Sequence, residues 1–582
     1  MKKILAILLI NLLICTAPVY ASSFTKVPDA TLQIAKENGF DEAHVFVPRS
    51  RLIRAGIGNE NFGTYVYSTI SIYGTSDMQI YDNNKLVKIV PANTNVNVKS
   101  TNSTYFERLD AGYELSFDNG DEFETLHGPV RFSCNDGLLG VTGLKRAGKP
   151  ALYRGDFEIA KFDKNRFNLV NIIEVEEYLK GVVPNEMPVR FGLNALKAQT
   201  VAARNYALSP RVKASSNYDV VDSVASQVYF GANTEKPLAT QAVAETEGVV
   251  ALYGWDLILA QYSSTAGGYT EDFSLVFSDP VTKEFPSKEK PYLKAKPDML
   301  SQIPLDNEKD AVEFYKSTPD SYDMRSPYFR WEREWTVQEL HDALEAALPQ
   351  QSAAGFVKPV FKKGDKLDDL QELKIKRRGK SGKIVEMEIV TKSQTFNIKK
   401  ELVIRRLFVK DGKALPSANV VFEFAQDDYG NILSVKAFGG GYGHGVGLSQ
   451  YGAGFMSEEL NMPYEKILQH YYSGITLGTQ PVTITHSSDN IVQNFYTTNK
   501  ETSLIVDNHS SVSKLDVNIN GKDVTLDIST PVFGEKILRI DISEYIKNGQ
   551  NNIVFYPPQD KIRDKYIKLY AELVKKDDNS YN

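Results

Sequence analysis

Half of the sixteen residues 439–454, GGGYGHGVGLSQYGAG, are glycine. Glycine enters backbone regions closed to other residues and lets a second backbone or a ligand approach closely, so this run specifies a tight loop. It lacks the dinucleotide-binding spacing, because Gln450 stands where a glycine would have to follow Gly445 and Gly447, and it lacks the lysine of a phosphate loop. The run therefore argues against a nucleotide site. It sets His444, Ser449, Gln450 and Tyr451 in rigid backbone, and a histidine so placed either contacts a ligand or serves as a hydrogen-bonded anchor.

A second constrained stretch is GVVPNEMP, residues 181–188, which holds Glu186 between Pro184 and Pro188. Each proline fixes its own φ and restricts the residue before it, leaving Glu186 few directions. Downstream, LNALKAQTVAARNYAL places Leu196, Thr200, Ala203 and Ala207 on one helical face, small enough for close packing. Lys197 and Arg204 lie seven residues apart and return to one side, where they could hold a carboxylate or a substrate oxygen; a solvated basic stripe is the competing reading.

Two further stretches carry ligand-like residue sets. SVASQVYFG ends with Gln227, Tyr229 and Gly231, amide and aromatic groups of the kind that meet sugar hydroxyls and pyranose faces. QYSSTAGGYTED follows the apolar LILA and reads as a strand opening into a loop that offers Ser263, Ser264, Thr265, Gly267, Gly268, Tyr269 and Thr270 to a ligand. Alone, each would be an ordinary strand end or turn.

The chain has 582 residues, so several domains are expected, and 42 % apolar with 24 % charged residues suits folded cores. Residues 1–21, MKKILAILLINLLICTAPVYA, have the basic start, short apolar run and small-residue exit of a cleaved export signal, so the protein is expected outside the cytoplasm, secreted or in the cell envelope, with no membrane span after cleavage. A net charge of −6 without a basic block disfavours nucleic-acid binding. Of the two cysteines only Cys134 would survive processing, which rules out an intrachain disulfide.

Alternating runs such as TYVYSTISIYG and GYELSFDNG predict a β-rich N-terminal domain over residues 22–165. A mixed central domain follows over 166–480, with an inserted lobe near 300–435. There Thr336 and Glu339 have capping-box spacing ahead of Leu340, Leu344 and Leu348, which predicts an amphipathic helix. Residues 481–582 return to strands, with Asn520-Gly521 as a hairpin turn, and read as a separate, sandwich-like β module. The expected class is multidomain α+β.

Five stretches in order carry a family resemblance: Tyr178 to Pro188, Ala195 to Leu208, Ser226 to Gly231, Ser263 to Glu271 and Gly441 to Ala453. Together they resemble the SpoIID/LytB family over roughly residues 110–480. The resemblance implies peptidoglycan work. Sporulation members of the family look like lytic transglycosylases that cut glycan strands stripped of their stem peptides, with Glu186 at the matching acid position; other members are amidase enhancers, which stimulate a partner hydrolase.

Glycan cleavage needs a carboxylic acid that stays protonated near neutral pH, and apolar burial produces one. A lytic transglycosylase can use a single carboxylate, because the sugar's own 6-hydroxyl attacks and the same group accepts its proton. The resemblance thus implies Glu186 as acid and base, with Arg204, Gln227, Tyr229, the 263–270 loop and His444 positioning the glycan. Sporulation relatives add a zinc held by one histidine and two cysteines, but Ser263 stands at that histidine position and the cysteines are absent, so neither zinc nor another cofactor is expected. The expected partners are peptidoglycan glycan strands and, on the enhancer reading, a cell-wall amidase.

Overall fold

The structure is a computed structural model that describes residues 52–101, 112–117, 124–209, 214–299, 305–485, 488–529, 537–558 and 565–576. The expected export signal, residues 1–21, lies outside them, as do His44 and His486. The chain is mixed α+β, with several sheets and eight helices among the described residues.

The N-terminal part is two packed sheets. One has seven strands, in the order 220–221, 52–56, 167–174, 156–161, 130–133, 78–82 and 85–90; the other has six, ordered 149–153, 139–146, 69–74, 96–101, 112–117 and 124–126. Their inner residues, among them Ile53, Ile72, Met78, Val98 and Phe132, share one core. The strand Phe167–Glu174 is buried along seven of its eight residues and runs directly into helix α1, Val175–Glu186. Glu174 caps that helix, its carboxylate accepting from the Glu176 amide at 2.7 Å.

Pro184 lies inside α1, near its end, and Glu186 is the last helical residue. Met187 is extended, as a residue before proline must be, and Pro188 opens a short 3₁₀ turn, Val189–Phe191, before α2, Gly192–Leu208. Glu186 thus closes a helix rather than preceding one. The predicted face of α2 is buried, with Leu196, Thr200 and Ala203 fully inaccessible and Ala207 nearly so. Helix α3, Pro237–Ala244, and the strand Val249–Tyr253 pack against α2.

The chain between 305 and 439 builds a lobe with a core of its own. It holds helices α4 (Glu308–Lys316), α5 (Val337–Ala353) and α6 (Glu401–Leu407), a three-stranded sheet (331–336, 432–439, 420–426) and a four-stranded one (357–358, 395–399, 384–391, 370–378). The capping box forms at Thr336 and Glu339, and Leu340, Leu344 and Leu348 are fully buried. The chain then returns through the glycine loop to α7, Gln450–Glu458, and α8, Tyr464–Tyr471, both packed on α2.

The C-terminal strands form two layers around Phe495, Leu504, Leu515 and Phe555. The hairpin turn at Asn520-Gly521 is as predicted, with both residues at positive φ and Ile519 paired with Lys522. The module is not separate, however. Strand Val249–Tyr253 pairs with Thr476–Thr479, which pairs with Ile567–Val574, so one sheet runs from the central region into the C-terminal strands. The edge of Thr476–Thr479 that faces away from 249–253 supplies the ladder that makes the two parts continuous. Among the described residues no helix is long and apolar enough to cross a membrane.

Candidate functional site

The end of α1 brings Glu186 against the segment after Ser226 and the opening of the 262–270 loop. Its half-buried carboxyl accepts from the Val228 amide at 2.6 Å. The Tyr262 hydroxyl and the Gln450 side-chain amide also face it as donors. Tyr262 in turn accepts from Gln227 Nε2 at 3.0 Å, which leaves its own hydrogen for Glu186, and Gln227 Oε1 accepts from Tyr178 at 3.3 Å. Gln450 Nε2 also donates to Gln199 at 3.2 Å. Burial pushes the Glu186 carboxyl up to about 7, against the opposing pull of these three neutral donors. The acid therefore carries its proton over the lower half of the neutral range.

Two loops wall this corner. Tyr262 and Ser263 pair in parallel with Leu448 and Ser449, and Thr265 bridges Tyr442. Ser263 Oγ accepts from the Gly445 amide at 3.2 Å, and the Ser264 carbonyl accepts from the Tyr451 amide at 3.1 Å. Ser449 caps α7 and also accepts from the Ala266 amide. Gly267 has φ of +83°, and a Cβ there would fall 2.7 Å from the Gly440 main chain, so only glycine lets the loops meet. The Gly267 and Gly268 amides donate to Asp323, a fully buried carboxylate.

His444 Nδ1 accepts from the Val446 amide at 3.0 Å, so the ring proton sits on the other nitrogen, which faces the Tyr262 main chain. Burial, with Lys383 and Arg405 nearby, pushes its pKa down to about 3, so the ring is neutral. Of the two readings a histidine in this loop allows, these contacts are those of the anchor. Tyr451 lies half-buried, its ring edge-on to Phe191 at 4.9 Å.

Several expected substrate contacts are turned away from the corner. Arg204 is 1 % exposed, and its guanidinium is committed to Glu176, with bonds of 2.8 and 2.5 Å, and to the Val249 carbonyl. Lys197 pairs with Glu245 at 2.6 Å. Tyr229 is 1 % exposed, packs between Tyr178 and Tyr153, and donates to Asn171 at 2.8 Å. Gln227 is fully buried and acts through Tyr262. Thr270 exchanges hydrogen bonds with the Lys296 main chain. These five hold the scaffold because the elements covering their faces carry matching partners. Ser264, Tyr269 and Tyr451 are the more open of the expected set.

Three contacts of Glu186 or its neighbours went unread in the sequence: Tyr262, the Val228 amide and Gln199. Tyr262 could have been found, since it stands directly before the serine pair, on the strand that opens into the loop. A main-chain donor leaves no trace in residue identity. Among the described residues no group of three or more His, Cys, Asp or Glu side chains is placed to hold a metal ion.

A helix-terminal glutamate whose pKa burial raises to about 7 thus sits beneath two glycine-braced loops. The family model Stage II sporulation protein matches residues 163–253, which contain Glu186, and a domain of unknown function (DUF8618) matches 280–447. The chain is similar to an amidase enhancer of Bacillus subtilis, 31 % identical over 391 residues, or 61 % of this chain and 51 % of that protein. It is also similar to stage II sporulation protein D of Bacillus subtilis, 28 % identical across 52 % of this chain and 74 % of the relative. For the protein of that name from Bacillus amyloliquefaciens the figures are 26 %, 57 % and 82 %. The chain spans about half the length of the amidase enhancer. These matches support the SpoIID/LytB family for this chain.

Proposed function

We propose that this protein is an exported peptidoglycan lytic transglycosylase that cuts peptide-stripped glycan strands between MurNAc and GlcNAc and leaves 1,6-anhydro-MurNAc ends. The observation that carries the reading is the Glu186 carboxyl, raised to about 7 by burial and met only by neutral donors among its hydrogen-bond partners. Such a group gives its proton to the glycosidic oxygen as the C1–O bond breaks. The resulting carboxylate then takes the proton of the C6 hydroxyl as that oxygen closes on C1. The proton returns to Glu186, and no water is consumed.

One carboxylate is enough for this sequence, and the other buried acids by the loop accept hydrogen bonds from the scaffold, Asp298 through one of its oxygens. Asp323 accepts from Ser321 at 2.7 Å and Gly267 at 2.6 Å, and Asp298 accepts from Tyr471 at 2.9 Å. Tyr262 and Gln450 support the base form of Glu186, because their donors favour the charged carboxylate. Ser264, Tyr269 and Tyr451 border the space in which the glycan would lie.

The similarity to a protein named amidase enhancer supports a second reading: a non-catalytic glycan binder that stimulates a cell-wall amidase. Stripped glycan strands and intact sacculi, each incubated with wild type and with Glu186→Gln, separate the two. Anhydro-muramyl ends made by wild type and not by the variant support the enzyme. No new ends, with faster digestion once an amidase is added, support the enhancer.

A further inference from the structure

The lobe meets the loops above Glu186 at several points, among them Asp323 beneath Gly267 and the turn 379–383 between strands Leu370–Arg378 and Ile384–Thr391. The turn docks on the end of the 262–271 loop. Ser381 Oγ donates to Glu271 Oε2 at 2.6 Å, the Ser381 amide adds a bond at 3.3 Å, and Glu271 is fully buried. A Cβ on Gly379 would fall 2.1 Å from the same carboxylate oxygen, so the turn and Glu271 are fitted at backbone distance.

The turn ends in Lys383, which is 0 % exposed and whose Nζ has no hydrogen-bond partner. Leaving an ammonium buried and without a hydrogen bond is costly, and chains do not commonly place lysine inside. Its Nζ lies 3.7 Å from where a Cβ on Gly445 would stand, directly behind the glycine loop. The charged or titratable groups facing it are Glu271 from the hydroxyl-rich loop, Glu401 and Arg405 from α6, and His444 from the glycine loop. The Phe277 ring closes on His444 edge-on at 5.2 Å.

We propose that Lys383 is a positioning residue for the Glu186 site. From behind Gly445 it holds the His444 ring in its arrangement between the Val446 amide and the Tyr262 main chain, and so fixes the Tyr262 hydroxyl on Glu186. On this reading the domain of unknown function is a working part of the site rather than an appendage. An ammonium behind the ring opposes a second ring proton, and that proton would break the Val446 bond, because Nδ1 would become a donor facing a donor. The Tyr262 strand would then lose its anchor three residues before Thr265, where the loops bridge.

This inference rests on the proposed reaction for its activity readout, but not for its other readout. The test compares the full-length protein with Lys383→Met and Lys383→Arg, each checked for folding by circular dichroism and thermal unfolding. Histidine-selective nitrogen-15 labelling follows the His444 ring, assigned with His444→Gln. In wild type the ring is expected to stay a single neutral tautomer down to pH 5. In Lys383→Met it should titrate at higher pH than in wild type, with kcat for anhydro-end formation lowered at the acid end of the profile relative to wild type, recovering toward pH 8, and KM little changed. Lys383→Arg should restore the wild-type behaviour.

A folded Lys383→Met with an unaltered His444 titration and an unaltered pH profile overturns the proposal. Should that variant fail to fold, Lys383→Met combined with Glu401→Gln removes both charges, and the same His444 titration decides. If wild type makes no anhydro ends, the reaction reading fails while the ring titration still tests Lys383.

Discussion

The Val228 amide donates to Glu186 Oε1 at 2.6 Å, tying the last residue of α1 to the segment that follows Ser226. The bond fixes where the carboxyl points without a cation that would lock it ionised. Lys197 and Arg204, the bases expected beside it, are engaged by Glu245 and Glu176. On the proposed reaction the acid gives and retakes a proton, and being held by neutral dipoles is the condition for a pKa near the working pH.

This arrangement makes stability depend on pH through Glu186. Its folded pKa, about 7, lies above the ordinary carboxyl value, so the folded state binds the extra proton between about pH 4.5 and 7. The stabilisation is fully present below that window and is lost as pH rises through 7. Glu186→Gln has no proton to lose. Relative to wild type it should gain on the order of 2 kcal/mol between pH 5 and pH 8, read by denaturant unfolding at both pH values.

Tyr262 favours the charged form of Glu186, so its removal moves the acid's pKa up. Tyr262→Phe should shift the alkaline limb of kcat/KM to higher pH while lowering kcat about tenfold, since the base step loses its donor. A pH–rate profile on stripped glycan strands checks both effects.

The Arg204–Glu176 pair ties α2 to α1 and is nearly inaccessible to water. Arg204→Ala would leave a buried carboxylate unpaired, costing about 3–5 kcal/mol in urea unfolding. Combined with Glu176→Gln it should cost distinctly less. Equal losses for the single and double variants would mean that Arg204 acts elsewhere.

At Gly267 a side chain is blocked twice, by φ of +83° and by the Gly440 main chain at 2.7 Å. Gly267→Ala should lower stability by about 2 kcal/mol or more and open the loop contact, with a matching loss of activity. Thermal unfolding alongside an activity assay reads both.

Local signals in the sequence carried far. The capping box at Thr336 and Glu339, the hairpin at Asn520-Gly521 and the buried face of α2 each follow from short-range rules, and each is present. Partners distant in sequence were not legible. Helical spacing puts Lys197 and Arg204 on one side of α2 but does not say that Glu245 and Glu176 lie opposite them. Tyr229 reads as a sugar platform in its strand end, yet Tyr178 and Tyr153 bury it from other elements. The restricted backbone around Glu186 was legible from its two prolines; its three donors come from segments 42 to 264 residues further along the chain.

The most direct test of the central claim is mass spectrometry of glycan products formed in oxygen-18 water by wild type and by Glu186→Gln. The account predicts ends one water lighter than a reducing sugar, free of the heavy oxygen, made by wild type at least a hundredfold faster than by the variant. Reducing ends carrying oxygen-18 would show hydrolysis instead, and equal yields from the two proteins, or no cleavage by either, would contradict Glu186 as the acid and base.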